Sequence, residues 1–309
     1  MAISFGYLPA SRWPRITTIA QRTPRGRLLK QFAVAAFFAA LWPVAGASSA
    51  VASVTIGQLD PAPGGIFCPA PAKDYVQPTV TSGNSYVVPG TGTITSWSHN
   101  AQSGSGQTLT MKIFRKVADP ATYMVVAHDG PRNLAQGTLN GFPASIPVKP
   151  GDVLGLNSQS PVDTACAFLA LGESPLQRTG NMVDGEVEPF NSGSDTRPNI
   201  SAVFVYSNAF TLGATAANKK NGTATITINL PNPGELTASG NGVRVASGRG
   251  AEISKSVPAG PAQLQIKAKG KKKKTLNDTG KVKLRLAITY TPTGGDASTQ
   301  SLKVKLRKH

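Results

Sequence analysis

The sequence predicts an all-β protein of two consecutive sandwiches behind an export signal, and three observations carry that prediction. Gly (32) and Pro (24) are plentiful in a chain of 309 residues of which only 15% is charged, a mixture that favours short strands and many turns. Apolar and polar residues alternate with period two in segment after segment, while no long segment of 3.6-residue period follows residue 50. Turn signals punctuate the alternation, most clearly at Lys149-Pro150-Gly151-Asp152, where Pro presets the first central position of a β-turn and Gly accepts the positive φ of the next. Hydrophobic residues make up 40%, enough for real cores, and the length suits two modest domains.

Residues 1–52 read as a signal peptide with a long basic n-region. Six Arg or Lys and no acid lead into the apolar run Phe32 to Val44, followed by the small-residue site Ala50-Val51-Ala52. Cleavage before Ser53 is the expectation, with cleavage after Ala47 as the alternative. The apolar run is shorter than the ~20 residues a span needs, so the mature chain is expected to carry no transmembrane helix and to be secreted, either free outside the cell or associated with the wall. The two cysteines, Cys68 and Cys166, both fall in the exported part. An even pair in an oxidising compartment predicts one disulfide. Closing a loop of about 100 residues stabilises by roughly 4–5 kcal/mol in the entropy model.

Residues 53–207 are expected to form a jelly-roll-like two-sheet sandwich. Candidate strands are Val54 to Gln58, Ser85 to Val88, Gly92 to Ser98, Thr108 to Ile113, Tyr123 to Ala127, Ile146 to Val148, Val153 to Leu156, Cys166 to Leu171 and Ile200 to Tyr206. In Thr108 to Ile113 the residues Leu109, Met111 and Ile113 share one face, and Thr108, Thr110 and Lys112 the other. Five strings carry a resemblance: Tyr-Val-Val-Pro-Gly-Thr-Gly-Thr-Ile-Thr-Ser-Trp-Ser (86–98), Leu-Thr-Met-Lys-Ile-Phe-Arg (109–115), Val-Ala-His-Asp-Gly-Pro-Arg (126–132), Ile-Pro-Val-Lys-Pro-Gly-Asp-Val-Leu-Gly-Leu (146–156) and Arg-Pro-Asn-Ile-Ser-Ala-Val-Phe (197–204). In this order they resemble a family of secreted actinobacterial β-sandwich proteins. The resemblance implies an exported sandwich over most of residues 54–207 and implies no activity.

Candidate chemistry in this domain is sparse. His128-Asp129-Gly130-Pro131 reads as a turn after a strand, and no Gly-x-Ser-x-Gly elbow accompanies the two histidines, His99 and His128. Asp184, Glu186 and Glu188 occupy alternate positions and would share one side of an extended segment. A solvated acidic loop is the favoured reading. Alternatives are a weak Ca²⁺ site and an acid–base pair for glycoside hydrolysis. Trp97, Tyr75, Tyr86 and Tyr123, with the amides Asn100, Asn157 and Gln159, are what a carbohydrate-binding face would draw on. No catalytic residue and no cofactor is expected.

Residues 208–309 are expected to form a basic immunoglobulin-like sandwich, from strands at Thr223 to Asn229, Glu235 to Ala238, Gly242 to Ala246, Ile253 to Val257, Gln263 to Ala268, Lys281 to Thr291 and Ser301 to Arg307. The segment looks like accessory domains at the C-termini of exported actinobacterial proteins. Its charge is distinctive. Residues 53–207 carry eight basic and eleven acidic residues, a net of −3, whereas 208–309 carry eighteen basic and four acidic, a net of +14. Lys281, Lys283 and Arg285 alternate with apolar residues, as do Lys303, Lys305 and Arg307. A hairpin centred on Gly294 would set Arg285 opposite Lys303, Lys283 opposite Lys305 and Lys281 opposite Arg307, an arrangement of like charges that is destabilising unless a polyanion relieves it. Lys269, Lys271, Lys272, Lys273 and Lys274 add to the cluster. Only Phe210 and Tyr290 are aromatic here, and both sit at apolar-patterned positions, which argues against base stacking and sequence-specific nucleic-acid binding. The expected partner is an anionic cell-wall polymer or an acidic polysaccharide, bound by a protein without enzymatic activity. A carbohydrate-binding module and a glycoside hydrolase are the competing readings.

Overall fold

Residues 52–61, 65–68, 72–158, 164–245 and 254–309 are described by the structure, a computed structural model. The expected signal peptide therefore lies outside the described residues apart from Ala52. Among the described residues no helix is long and apolar enough to cross a membrane.

The chain is nearly all β. Among the described residues fourteen strands precede residue 207: β1 (Ser53–Gln58), β2 (Ile66–Cys68), β3 (Lys73–Val76), β4 (Gly92–Asn100), β5 (Thr108–Ala118), β6 (Thr122–Asn133), β7 (Leu139–Val148), β8 (Val153–Asn157), β9 (Thr164–Leu169), β10 (Leu176–Thr179), β11 (Val187–Pro189), β12 (Asn191–Ser192), β13 (Thr196–Pro198) and β14 (Ile200–Tyr206). They form sheets of order β1-β14-β4-β7 and β11-β6-β5-β8-β3-β10-β12, with a small third sheet, β13-β9-β2. Trp97, Ile94 and Phe204 from the first sheet and Met111, Ile113, Leu154 and Leu156 from the second share one buried core. The alternation that predicts these strands works because side chains on a strand point to opposite faces. The cysteines are bonded, Cys68 on β2 to Cys166 on β9, with Cα atoms 5.7 Å apart and a sequence separation of 98.

Three features differ from the local reading. Ser85 to Val88 makes only an isolated bridge, Val87 to Val153, and no named strand. The Lys149–Asp152 turn forms as expected: Gly151 has φ +85° and the Asp152 amide donates to the Lys149 carbonyl at 3.2 Å. Yet its flanking strands do not pair. β7 bonds to β4, while β8 bonds to β5 and β3, so the turn carries the chain from one sheet to the other. Asp152, fully buried, anchors it by accepting the Lys149 amide (2.8 Å) and a two-pronged contact from Arg115 (2.7 and 2.8 Å). Third, the polar side of β5 is covered as well, so that Lys112 is only 2% exposed.

The described residues of the second half contain β15 (Thr211–Asn218), β16 (Thr223–Leu230), β17 (Gly234–Ser239), β18 (Val243–Val245), β19 (Ser254–Val257), β20 (Gly260–Ala268), one helix α1 (Gly270–Thr279), β21 (Lys281–Pro292) and β22 (Ser298–Arg307). The sheets run β15-β16-β20-β18 and β19-β17-β21-β22. With β19 set aside, this is the ABED and CFG arrangement of a constant-type immunoglobulin domain; β19 adds one strand beside C. A second buried core fills it, built on Ile226, Ile228, Ile266, Leu284, Ile288 and Leu306. The helix was not expected. Only Leu276 of its ten residues is buried, so no apolar period announces it. It rests on the good helix propensity of four lysines and a Lys274–Asp278 pair at 2.8 Å, and it ends at Gly280, whose φ of +67° closes it in the left-handed region.

The two sandwiches belong to one compact unit and meet at Asn232, which is 1% exposed. Its amide accepts from the Thr91 amide (2.7 Å) and donates to the carbonyls of Thr91 (2.8 Å) and Ser207 (3.0 Å). The Tyr290 hydroxyl donates to the Asn232 carbonyl at 2.8 Å. Asp296, in the turn between β21 and β22, accepts the Ala52 amide at 3.0 Å.

Candidate polyanion-binding face

The basic face is built on the β21–β22 hairpin. Val282, Leu284, Leu286, Val304 and Leu306 turn into the core, which obliges the alternate residues to face outward. The Gly295 amide donates to the Pro292 carbonyl at 3.0 Å and closes the turn. The resulting register places Lys281 opposite Arg307, Lys283 opposite Lys305 and Arg285 opposite Lys303, the like-charged pairing read from the sequence. All six side chains are exposed, and among the described residues none of them forms a salt bridge.

A hollow opens beside the hairpin because β17 stops. β17 pairs with β21 only from Ala287 onward, so among the described residues no strand flanks the stretch from Lys281 to Leu286 on that side. The Gly240–Gly242 turn and α1 border the gap. The result is an open basin of about 630 Å³ lined by Lys272, Lys283, Arg285, Lys303 and Lys305 together with Asn241, Leu284 and Val304. Lys272 is aimed there by close packing: a Cβ added at Gly242 would fall 2.3 Å from its Cγ, so the lysine stem lies on that glycine. A neighbouring hollow of about 490 Å³, bordered by residues 240–243 and 269–272, shares Asn241 and Lys272. The structure thus gathers Lys272, Lys283, Arg285, Lys303 and Lys305 in one basin and sets Lys269 and Lys271 beside it. Lys281 and Arg307 lie at the open end of the hairpin. Lys273 and Lys274 are outside both linings, and Lys274 is held by Asp278. Asn241 is the lining residue the charge pattern did not point to; only its place in a Ser-Gly-Asn-Gly turn marks it.

This geometry suits a chain of anionic groups. Alternate residues on one strand lie about 6.6–6.8 Å apart, so the hairpin offers a ladder of paired cations rather than a single pocket. The hydrophobic groups of the lining, Leu284 and Val304, belong to the sandwich core, and no acid is among the described lining residues.

The other candidates do not converge. A turn at Asp184-Gly185, closed by the Glu186 amide on the Val183 carbonyl at 3.0 Å, breaks the extended segment on which the three carboxylates would have lined up. Asp184 meets His128 Nδ1 at 2.8 Å, and Arg178 stands between Glu186 (3.7 Å) and Glu188 (3.5 Å). Among the described residues no three acidic, His or Cys side chains form a group that could hold a metal ion, so the Ca²⁺ alternative at Asp184, Glu186 and Glu188 is not assembled. Trp97, Tyr75, Tyr86 and Tyr123 are all buried: Trp97 packs on Phe142 at 4.6 Å between ring centroids and donates its indole N–H to Asp129. They form core rather than a sugar platform. Asn157 is likewise buried, Asn100 is partly buried, and Gln159 lies outside the described residues.

The fold and this face together define a class, an all-β protein of two sandwiches with a cationic sheet surface on the second. No protein-family model and no curated protein matches the chain.

Proposed function

We propose that this is an exported, non-enzymatic protein of the cell envelope or extracellular space whose C-terminal sandwich binds anionic envelope polymers, either wall polymers or acidic polysaccharide. The observation that carries the reading is the basin between α1 and the β21–β22 hairpin, where Lys272, Lys283, Arg285, Lys303 and Lys305 meet with no acid among the described lining residues. Stacked like charges raise the free energy of the unliganded hairpin, and a polyanion removes that cost while releasing its own counterions. Binding of this kind weakens steeply with salt. The test uses the chain from Ser53 to His309 and isolated cell-wall polymer across a salt series. Tight binding at low salt that falls steeply as salt rises is expected. Absence of binding at low salt, or binding indifferent to salt, overturns the proposal.

A further inference from the structure

Lys112 is a buried cation to which the basic face gives no role. It sits on β5 in the middle of the seven-stranded sheet, on the side away from the core shared with Met111 and Ile113. Its ammonium nitrogen touches three oxygens: Asp74 Oδ1 at 2.6 Å, Asn181 Oδ1 at 2.7 Å and the Met182 carbonyl at 2.6 Å. Asp74 is itself fully buried. It accepts the Asn157 amide on Oδ1 at 2.8 Å and the Met182 backbone N–H on Oδ2 at 2.9 Å. An amine, a carboxamide and a carboxylate are thus held together where water is largely excluded.

We propose that Lys112 and Asn181 are the two halves of an intramolecular amide cross-link, with Asp74 as the group that moves the protons. Asn181 Cγ lies one C=O bond, about 1.2 Å, behind the oxygen that the nitrogen already touches. Nitrogen and carbon are therefore within about 4 Å, near the ~3–3.5 Å of a reactive encounter. Burial lowers the Lys112 pKa from the ordinary lysine value, against the opposing pull of Asp74, Glu186 and Asp184, which favours release of a proton to Asp74.

The step balances within the chain. Asp74 takes one proton from the ammonium and frees the nitrogen lone pair. That pair attacks Asn181 Cγ, and the carbonyl electrons move onto oxygen. A second proton passes from the former lysine nitrogen to the carboxamide nitrogen. The C–N bond to that group breaks, the C=O bond re-forms and ammonia leaves. Ammonia then takes the proton held by Asp74 and departs as ammonium, so the carboxylate is restored. No oxidant, metal or second substrate is consumed. The product joins β5 to the segment leading into β11.

Intact-mass measurement of the exported chain, followed by sequencing of its tryptic peptides, tests this. The expected mass falls below that of the disulfide-bonded sequence by one ammonia, with a branched peptide joining Lys112 to Asn181. Both signatures should vanish in Lys112→Met and Asp74→Asn. A wild-type mass without the loss overturns the proposal and needs no variant to fold. So does an ammonia loss that maps to a cyclised Asn-Gly bond such as Asn221-Gly222, or one that persists in Asp74→Asn.

Discussion

His99 has no exposed surface, and its Nδ1 lies 2.6 Å from the Asn199 carbonyl. A carbonyl only accepts, so Nδ1 carries the proton and the ring is the neutral Nδ1–H tautomer. Burial lowers its pKa to about 4, partly opposed by the Asn199 carbonyl. Glu173 is buried too. Burial pushes its carboxyl up, but hydrogen bonds from Arg197 and Thr81 outweigh that and hold it at about 2. Both shifts make acid destabilising. The unfolded chain protonates its histidine near 6.5 while the folded chain waits until about 4, so stability falls over that interval by roughly 3 kcal/mol at full effect. The Glu173 contribution is intact above 4.5 and is lost as the pH falls toward 2. Urea unfolding at a series of pH values should show two successive losses, and His99→Gln should flatten the first. Arg197→Met leaves the Glu173 carboxylate buried without its guanidinium and should cost about 3–5 kcal/mol at neutral pH, read as a lower unfolding midpoint.

The β21–β22 hairpin trades stability for charge. Its three like-charged pairs each become opposite-charged in the triple variant K303E/K305E/R307E. The hairpin should then gain about 0.2–1 kcal/mol per pair, seen as a higher melting temperature, while polymer binding at low salt is lost. A lower melting temperature would show that the pairs do not repel as argued. This register was legible in the sequence, because strict alternation and one turn fix it locally. The helix beside it was not, since a single buried leucine in ten residues leaves no period to read. The same limit explains the turn at Pro150-Gly151: local chemistry specifies the bend, but whether the next strand pairs with the last is decided by β3, β4 and β5, far away in sequence. The cover over Lys112 is hidden from the sequence in the same way, since alternation places it on the polar side of β5 and says nothing of what lies above that side. Asn181 and Met182, about seventy positions on, meet its ammonium, and no period within β5 encodes that. Among the candidate residues, the cations were found by their pattern. The aromatics were named by type alone, and type does not distinguish platform from core.

At the scale of the molecule, the asymmetry of charge maps onto two cores that share one joint. Asn232 satisfies Thr91 and Ser207 from the first half while its own carbonyl holds Tyr290 in the second. Asn232→Ala would leave the Thr91 amide and two carbonyls without these partners, at about 1–3 kcal/mol for a buried polar group. Calorimetry should then resolve two transitions in the variant and one in the wild-type chain. A single unshifted transition in the variant would mean that the joint does not couple the halves.

That joint also governs direction. On the proposed function, a polymer lying along the β21–β22 ladder would fix the orientation of the second sandwich, and three hydrogen bonds to one buried amide leave little slack for the first to swivel. Capture at one end therefore sets the heading of the other. Whatever the first sandwich presents is turned toward one side of the polymer axis, as a sign bolted to its post faces one way along the road.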